Sequence, residues 1–394
     1  MYIIDWILFL FLLPSVTYLL FFGIASKFYR QHRYPETNKL RKFAVLFPAY
    51  KEDRVILSTI NSFLQQEYPQ ELFDVVVISD QMQAQTNDQL SSLPINLLIA
   101  NYSESSKAKA LALAMDSIST KSYDIVVIMD ADNIVTPDFL KEINKAFESN
   151  THALQAHRTS KNFNTDIAIL DSISEEINNG FFRKGHNAIG LSAGLAGSGM
   201  AFDFKWFQQN VHKLQTAGED KELEAFLLKQ RIHITYLNDL LVYDEKTQHK
   251  EAINNQRKRW IAAQWGALRN SLPDLPKALL SGNFDYCNKI FQWMLPPRLI
   301  QLACVFGVAL LVTLVALINC KYGNGDEWTL AIKWWFLSIM QIIAIYIPIP
   351  KQLINRNFAK AILQIPGLVV GTILNLFKLK GAYRKFIHTE HGNH

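Results

Sequence analysis

Cysteine is almost absent from this chain: Cys287, Cys304 and Cys320 are three isolated residues in 394. Their spacing supports neither a disulfide framework nor a cysteine metal site. Charge is scarce as well, at 19% against 49% apolar residues, a balance that leans away from an ordinary water-soluble domain. No G-x-G-x-x-G follows the first strand-like run, which argues against a dinucleotide-binding oxidoreductase. No nucleic-acid module is visible, and the net charge of +5 is accounted for by basic residues beside apolar runs. No nucleic-acid partner is expected. Ahead of the first apolar run there is none of the basic sequence that a secretory leader carries.

The hydrophobic residues that are present are concentrated. Residues 3–25 are apolar with Asp5 as the one charge, long enough at ~1.5 Å per residue to cross a hydrocarbon layer of about 30 Å. Lys27, Arg30, Arg33, Lys39, Arg41 and Lys42 follow it, which puts the amino terminus outside and the following chain in the cytoplasm. The division expected is an anchor at 1–26, a cytoplasmic catalytic domain at 27–273, an amphipathic interfacial segment at 274–298 and a membrane hairpin at 299–350. The hairpin's spans are read at 299–318 and 334–349, with Trp328, Trp334, Trp335 and Tyr346 as interfacial aromatics. The stretch 361–377 is interrupted by Gln364, Pro366, Gly367, Gly371 and Asn375, and a basic tail follows it. A crossing there would leave that tail outside, so 351–394 is read as an interfacial or re-entrant segment with a cytoplasmic tail, and a fourth span is the rival. The location expected is the inner, cytoplasmic membrane, with several passes.

Between the apolar ends, strand-like runs at 43–47, 75–79 and 125–129 alternate with helical patterns at 55–66, 107–118 and 137–148. That alternation predicts an α/β, doubly wound, mainly parallel sheet. The third run ends in Asp130-Ala131-Asp132. Two hard carboxylates at the carboxyl edge of a sheet suit Mg²⁺ or Mn²⁺ completed by substrate phosphates, while a polar turn is the plainer reading. Pro48-Ala49-Tyr50-Lys51-Glu52 follows the first strand and Asp80 ends the second, so the three strand ends converge on one crevice. Lys107 opens a helix where phosphates are favoured. Glu219-Asp220 precedes an apolar-periodic run, with Asp220 either a helix cap or a catalytic base. Gln256-Arg257-Lys258-Arg259-Trp260 joins guanidinium groups to an indole, suited either to a diphosphate and a sugar ring or to anionic lipid.

Taken in order, these motifs resemble glycosyltransferase family 2, the inverting GT-A type, in the membrane-embedded branch with cellulose, hyaluronan and poly-N-acetylglucosamine synthases. The resemblance covers about residues 41–260. Pro48 to Glu52 is similar to the family's Pro-x-x-Asn-Glu, and Lys107-Ala108-Lys109-Ala110-Leu111 to its Lys-Ala-x-Ala-Leu-Asn. Asp130-Ala131-Asp132 matches the metal motif, Gly197-Ser198-Gly199-Met200 the acceptor-side loop, and Gln256 to Trp260 the Gln-x-x-Arg-Trp. Lys51 and Ala112 depart from the usual Asn at each place.

The resemblance implies a GT-A domain flanked by transmembrane helices, taking a UDP-sugar with Mg²⁺ or Mn²⁺. Pro48, Tyr50, Glu52, Asp80, Lys107 and Asp130 would bind the donor, Asp132 with Asp130 the metal. Asp220, with Glu219 beside it, would be the base. Gly199, Gln256, Arg257, Arg259 and Trp260 would serve the acceptor and the diphosphate. The product expected is a growing polysaccharide or glycan, with N-acetylglucosamine or glucose transferred. The alternative is a single addition to a lipid carrier or diacylglycerol. The acceptor would be a glycan or lipid-linked, in contact with the bilayer, with export or accessory subunits left open. His388, Glu390 and His391 lack a scaffold for zinc and are read as tail.

Overall fold

The computed structural model describes residues 2–216, 218–319 and 326–376. The chain opens with helix α1 (Tyr2–Ala25) and then enters an α/β unit. In order this runs β1 (Phe43–Tyr50), α2 (Ile56–Phe63), β2 (Phe73–Asp80), α3 (Ala84–Ser91), β3 (Asn96–Ala100), α4 (Lys107–Ser117) and β4 (Ile125–Ile128). It continues with β5 (Ile134–Val135), α5 (Phe139–Glu148), β6 (Ala153–Ser160), α6 (Asp166–Asn179), a π-helical stretch Gly180–Gly185 and α7 (His186–Ala188). Then come β7 (Met200–Asp203), α8 (Phe204–Asn210), α9 (Glu219–Lys229), β8 (Ile234–Asp244) and α10 (Lys250–Ser271). Beyond lie α11 (Leu275–Leu280), α12 (Phe284–Met294), α13 (Arg298–Asn319), α14 (Asp326–Tyr346), α15 (Arg356–Ala361) and α16 (Ile365–Leu376).

The sheet has eight strands in the order β3-β2-β1-β4-β7-β6-β8-β5. β1 to β4 are mutually parallel, β7 runs against β4 and β6, and β5 runs against β8. β1 explains why both faces are covered. Phe43, Val45, Phe47 and Ala49 pack on Ile56, Ile60 and Phe63 of α2, while Ala44 and Leu46 face Leu111, Ala114 and Met115 of α4. Period-2 alternation with both sets apolar is what a strand buried on two sides requires. The chain leaves β1 towards β2 on one side and returns through β4 on the other, so a crevice opens at the carboxyl ends of these strands.

Among the described residues four helical stretches are long and apolar enough to cross a membrane: residues 3–28, 298–319, 327–346 and 356–375. α14 packs on both α1 and α13, and Leu12, Val16, Val305, Ala309, Trp334 and Leu337 form one apolar cluster across the three. Trp334 is fully buried and donates to Asp5 Oδ1 at 2.6 Å, with Lys333 paired to the same carboxylate. The indole read as an interfacial aromatic is packed inside the helix bundle, where it serves a buried carboxylate. α14 begins at Asp326, ahead of the span read from Trp334.

The expected amphipathic segment is two helices, α11 and α12. Tyr286, Lys289, Ile290 and Trp293 of α12 face inward, while Leu280 and Phe284 are 91% and 70% exposed. α15 and α16 are not free of the domain. Phe358, Ala361 and Leu368 share a cluster with Ile167 and Ile253 of α6 and α10, and Asn375 donates to Asn254 O at 2.8 Å.

The domain sits tightly on α1. A Cβ at Gly185 would lie 2.4 Å from the Phe22 carbonyl oxygen, and one at Gly180 2.3 Å from Pro348 Cβ. Tyr18 of α1 reaches across to His186 at 3.0 Å and Asn288 at 3.1 Å. Cys320, the basic tail and His388 to His391 lie outside the described residues.

Candidate active site

Pro48, Tyr50, Glu52 and Asp80 reach the crevice from the ends of β1 and β2, and line a cavity of about 1320 Å³. Lys51 N donates to the Asp80 carbonyl at 3.1 Å, tying the two strand ends together. The turn needs φ +56° at Lys51, a conformation that Asn tolerates better than Lys. Asp80 is 3% exposed, and its Oδ1 has no hydrogen-bond partner among the described residues. Burial pushes its carboxyl up, against the opposing pull of Ser105, Lys109 and Lys51. A buried acceptor facing a cavity is completed by a donor from the ligand, as a ribose hydroxyl or base N–H provides.

The loop after β4 supplies Asp130 and Asp132. Asp130 N donates to Ser198 Oγ at 2.9 Å, and Lys107 Nζ pairs with the Asp130 carboxylate while donating to Gly197 O at 2.7 Å. Asp132 is 4% exposed, and its Oδ2 accepts from Glu245 N at 2.8 Å. Both carboxylates line the cavity. Among the described residues no group of three or more His, Cys, Asp or Glu could hold a metal by itself. The donor set fits Mg²⁺ or Mn²⁺, which take one or two carboxylates and fill the remaining positions with water and phosphate.

Glu219 and Asp220 lie in the first turn of α9, with Gly218 in the cap position. The cap reading of Asp220 is thereby set aside: its carboxylate accepts from Lys221 N at 2.8 Å and faces the cavity. Glu219 is buried 3.7 Å from Lys107 Nζ. Burial raises its carboxyl to about 7, with Lys107 pulling it down and Asp220 pushing it up. Burial works to lower Lys107, but Asp130 and Glu219 outweigh it and hold the ammonium firmly charged. Below, Lys289 pairs with Glu224 at 2.9 Å, both fully buried.

Gln256, Arg257, Arg259 and Trp260 lie along α10 and line the same cavity. Arg158 of β6 pairs with Asp244 and donates to Ala196 O at 2.6 Å, presenting a further guanidinium to the crevice.

A model described as glycosyltransferase like family 2 matches residues 41–263. The chain belongs to glycosyltransferase family 2. A probable glycosyltransferase, YdaM of Bacillus subtilis, is 28% identical over 105 residues, so the match spans 25% of this chain and 24% of that relative. The mannosyltransferase PcManGT from Pyrobaculum calidifontis, solved with GDP-Man and Mn²⁺, is 14% identical with a TM-score of 0.54. The match covers 87% of this chain and 99% of that one, a likeness of GT-A fold.

In this glycosyltransferase every expected site residue but one lines the cavity. Gly199 does not. Its φ of +63° and a Cβ position 2.8 Å from Val242 Cγ2 make it a turn packed on β8. Sequence reasoning did not single out Arg158, Asp244 or Glu245, which stand in strand and loop without a motif of their own.

The cavity does not end at the polar crevice. It runs on past Trp293 and Pro296 between α6, α13, α14 and α16, lined by Leu299, Leu302, Phe306, Ile345, Ile349 and Leu368. Arg298 at the start of α13 was likewise unforeseen, although an arginine directly before an apolar run is a visible signal.

Proposed function

We propose that this glycosyltransferase moves one sugar from a UDP-sugar to a lipid-linked acceptor at the cytoplasmic face of the membrane, with inversion at the anomeric carbon. The observation that carries this is the shared cavity, polar at the sheet edge and apolar between the membrane helices. A pocket of that kind accommodates an amphiphile whose reactive end meets the donor. Single addition is favoured over polymer export because side chains fill the interior of the α1, α13 and α14 bundle. The interfacial reading of 351–394 is supported by contacts of its described part with the domain, through Phe358 and Asn375.

In this reading Tyr50, Glu52 and Asp80 hold the nucleoside, and Lys107 and Arg158 lie against the diphosphate. A Mg²⁺ or Mn²⁺ ion held by Asp132 and Asp130 would supply positive charge to the departing diphosphate. Arg259, from the α10 face, adds charge on the same side. Asp220 accepts the proton of the acceptor hydroxyl as it attacks in line. Glu219 and Lys107 set the field around that carboxylate. Trp260, 39% exposed, offers a ring face to the acceptor's sugar or headgroup.

The test is UDP release by purified protein with a panel of UDP-sugars and lipid acceptors. Asp220→Asn is expected to lose at least about 100-fold in turnover while retaining donor affinity. Equal loss of donor affinity would refute its assignment as base. Long products on sizing would refute single addition.

A further inference from the structure

Between the polar crevice and the apolar arm of the cavity lies a belt of polar groups that the donor reading does not use. Arg257 Nη1, Arg298 Nη1, Gln256 Oε1, Gln292 Oε1 and both amide atoms of Gln301 are buried without a hydrogen-bond partner among the described residues. All five side chains line the cavity. Gln301 is 1% exposed, so its amide has only the cavity to look to.

Arg298 is fixed in place. Its Nη2 donates to Ser174 Oγ at 3.0 Å, and its guanidinium lies 5.9 Å from the centre of the Phe181 ring. Phe181 belongs to the apolar cluster that also holds Leu19, Leu295 and Leu368, so Arg298 stands where the crevice gives way to hydrocarbon. Arg257 is close enough for the two positive charges to act on each other. Asp171 acts on Arg257 and Glu175 on Arg298, but among the described residues neither carboxylate comes within 4.0 Å of its arginine as an ion pair, and the Glu175 carboxylate is taken up by Arg183 at 2.8 Å. Like charges held together with unmet donors are costly unless an anion lies between them. Arginine suits a phosphate in that place because its fork bonds two oxygens.

We infer that Arg257 and Arg298 form the seat for a phosphate on the lipid acceptor, set between its hydrocarbon chain and the hydroxyl that Asp220 activates. This rests on the lipid-acceptor reading and narrows it: neutral diacylglycerol lacks the group that the two guanidiniums require. The chain lies along Leu299, Leu302 and Phe306, and Gln301 bonds the phosphate from one turn deeper in α13. Gln256 and Gln292 present carbonyl oxygens to headgroup hydroxyls.

The experiment uses full-length protein in dodecyl maltoside, with tryptophan fluorescence reporting binding of dodecyl phosphate, dodecanol and inorganic phosphate. Dodecyl phosphate is expected to bind at least about tenfold tighter than either of the others. Arg257→Gln with Arg298→Gln removes that preference and leaves dodecanol affinity unchanged, and the paired lysine variant restores part of it. Unchanged melting temperatures of the same samples show that each variant is folded.

Equal affinity for dodecyl phosphate and dodecanol would overturn the proposal, as would a preference that survives both substitutions to glutamine. Inorganic phosphate binding as tightly as dodecyl phosphate would identify a free-anion site and overturn it too. Displacement of dodecyl phosphate by UDP and Mg²⁺ would assign the arginines to the donor, sinking the seat and sparing glycosyl transfer. A phosphate preference without any glycosylated lipid would instead sink the transfer reading and leave the seat standing.

Discussion

Glu219→Gln removes a carboxyl that burial holds at about 7, where the ordinary value is 4.5. At about 1.4 kcal/mol per pKa unit, that difference amounts to about 3 kcal/mol. Because the folded value is the raised one, the protonated carboxyl's stabilising contribution is fully present below pH 4.5 and is lost as pH rises through about 7. Glutamine has the same shape and no proton to lose. Melting of the two proteins in detergent, followed from pH 5 to pH 8.5, is therefore expected to diverge. The wild-type protein should fall behind by roughly 5 °C at the alkaline end, at roughly 2 °C per kcal/mol for a chain of this size. Lys107 is the strongest influence opposing the shift, so Lys107→Met should move the wild-type decline to higher pH. Parallel melting curves for Glu219→Gln and the wild-type protein across the range would refute the account of a buried, protonatable Glu219.

Three further outcomes follow from the same structure. Lys289→Met removes the nearer of two lysines paired with Glu224, which is 1% exposed, and leaves it Lys221 at 3.7 Å; it should cost about 3 kcal/mol in a denaturation assay. Adding Glu224→Leu should recover most of that loss. Asp80→Ala removes the unpartnered acceptor at the end of β2 and should weaken UDP binding by roughly 1.5–3 kcal/mol in calorimetry. Lys51→Asn relieves a left-handed turn residue at φ +56° and should raise stability by about 1 kcal/mol, read from the melting temperature.

Strands whose two faces are both apolar were legible because nothing else explains such short runs. β1, β2 and β4 are found within a few residues of where the pattern puts them, as are α2, α4 and α5. β6 was not, since Ala-Leu-Gln-Ala-His-Arg-Thr-Ser carries polar residues whose partners, such as Glu176 for His157, lie on other elements. The site was readable where chemistry is packed into adjacent residues, as in Asp130-Ala131-Asp132 and Gln256 to Trp260. It was opaque where single residues from distant strands meet, as Arg158 does with Asp244 and Asp132 with the Glu245 amide. Trp334 shows the limit in the long apolar helices: sequence places an indole near the end of an apolar run, and only packing reveals the Asp5 it serves.

Gly180 and Gly185 leave no room for a methyl group between the catalytic domain and the structure beneath it. A domain seated that closely has no slack to tilt against α1. The distance from the sheet edge to the long apolar helices is then set by that packing. Under the proposed lipid-acceptor reading, a hydroxyl would meet Asp220 only when its own lipid carries it across that distance. The seam of two glycines would then work as a depth gauge, sorting acceptors by the length of the stem between hydrocarbon and hydroxyl before any headgroup contact is made.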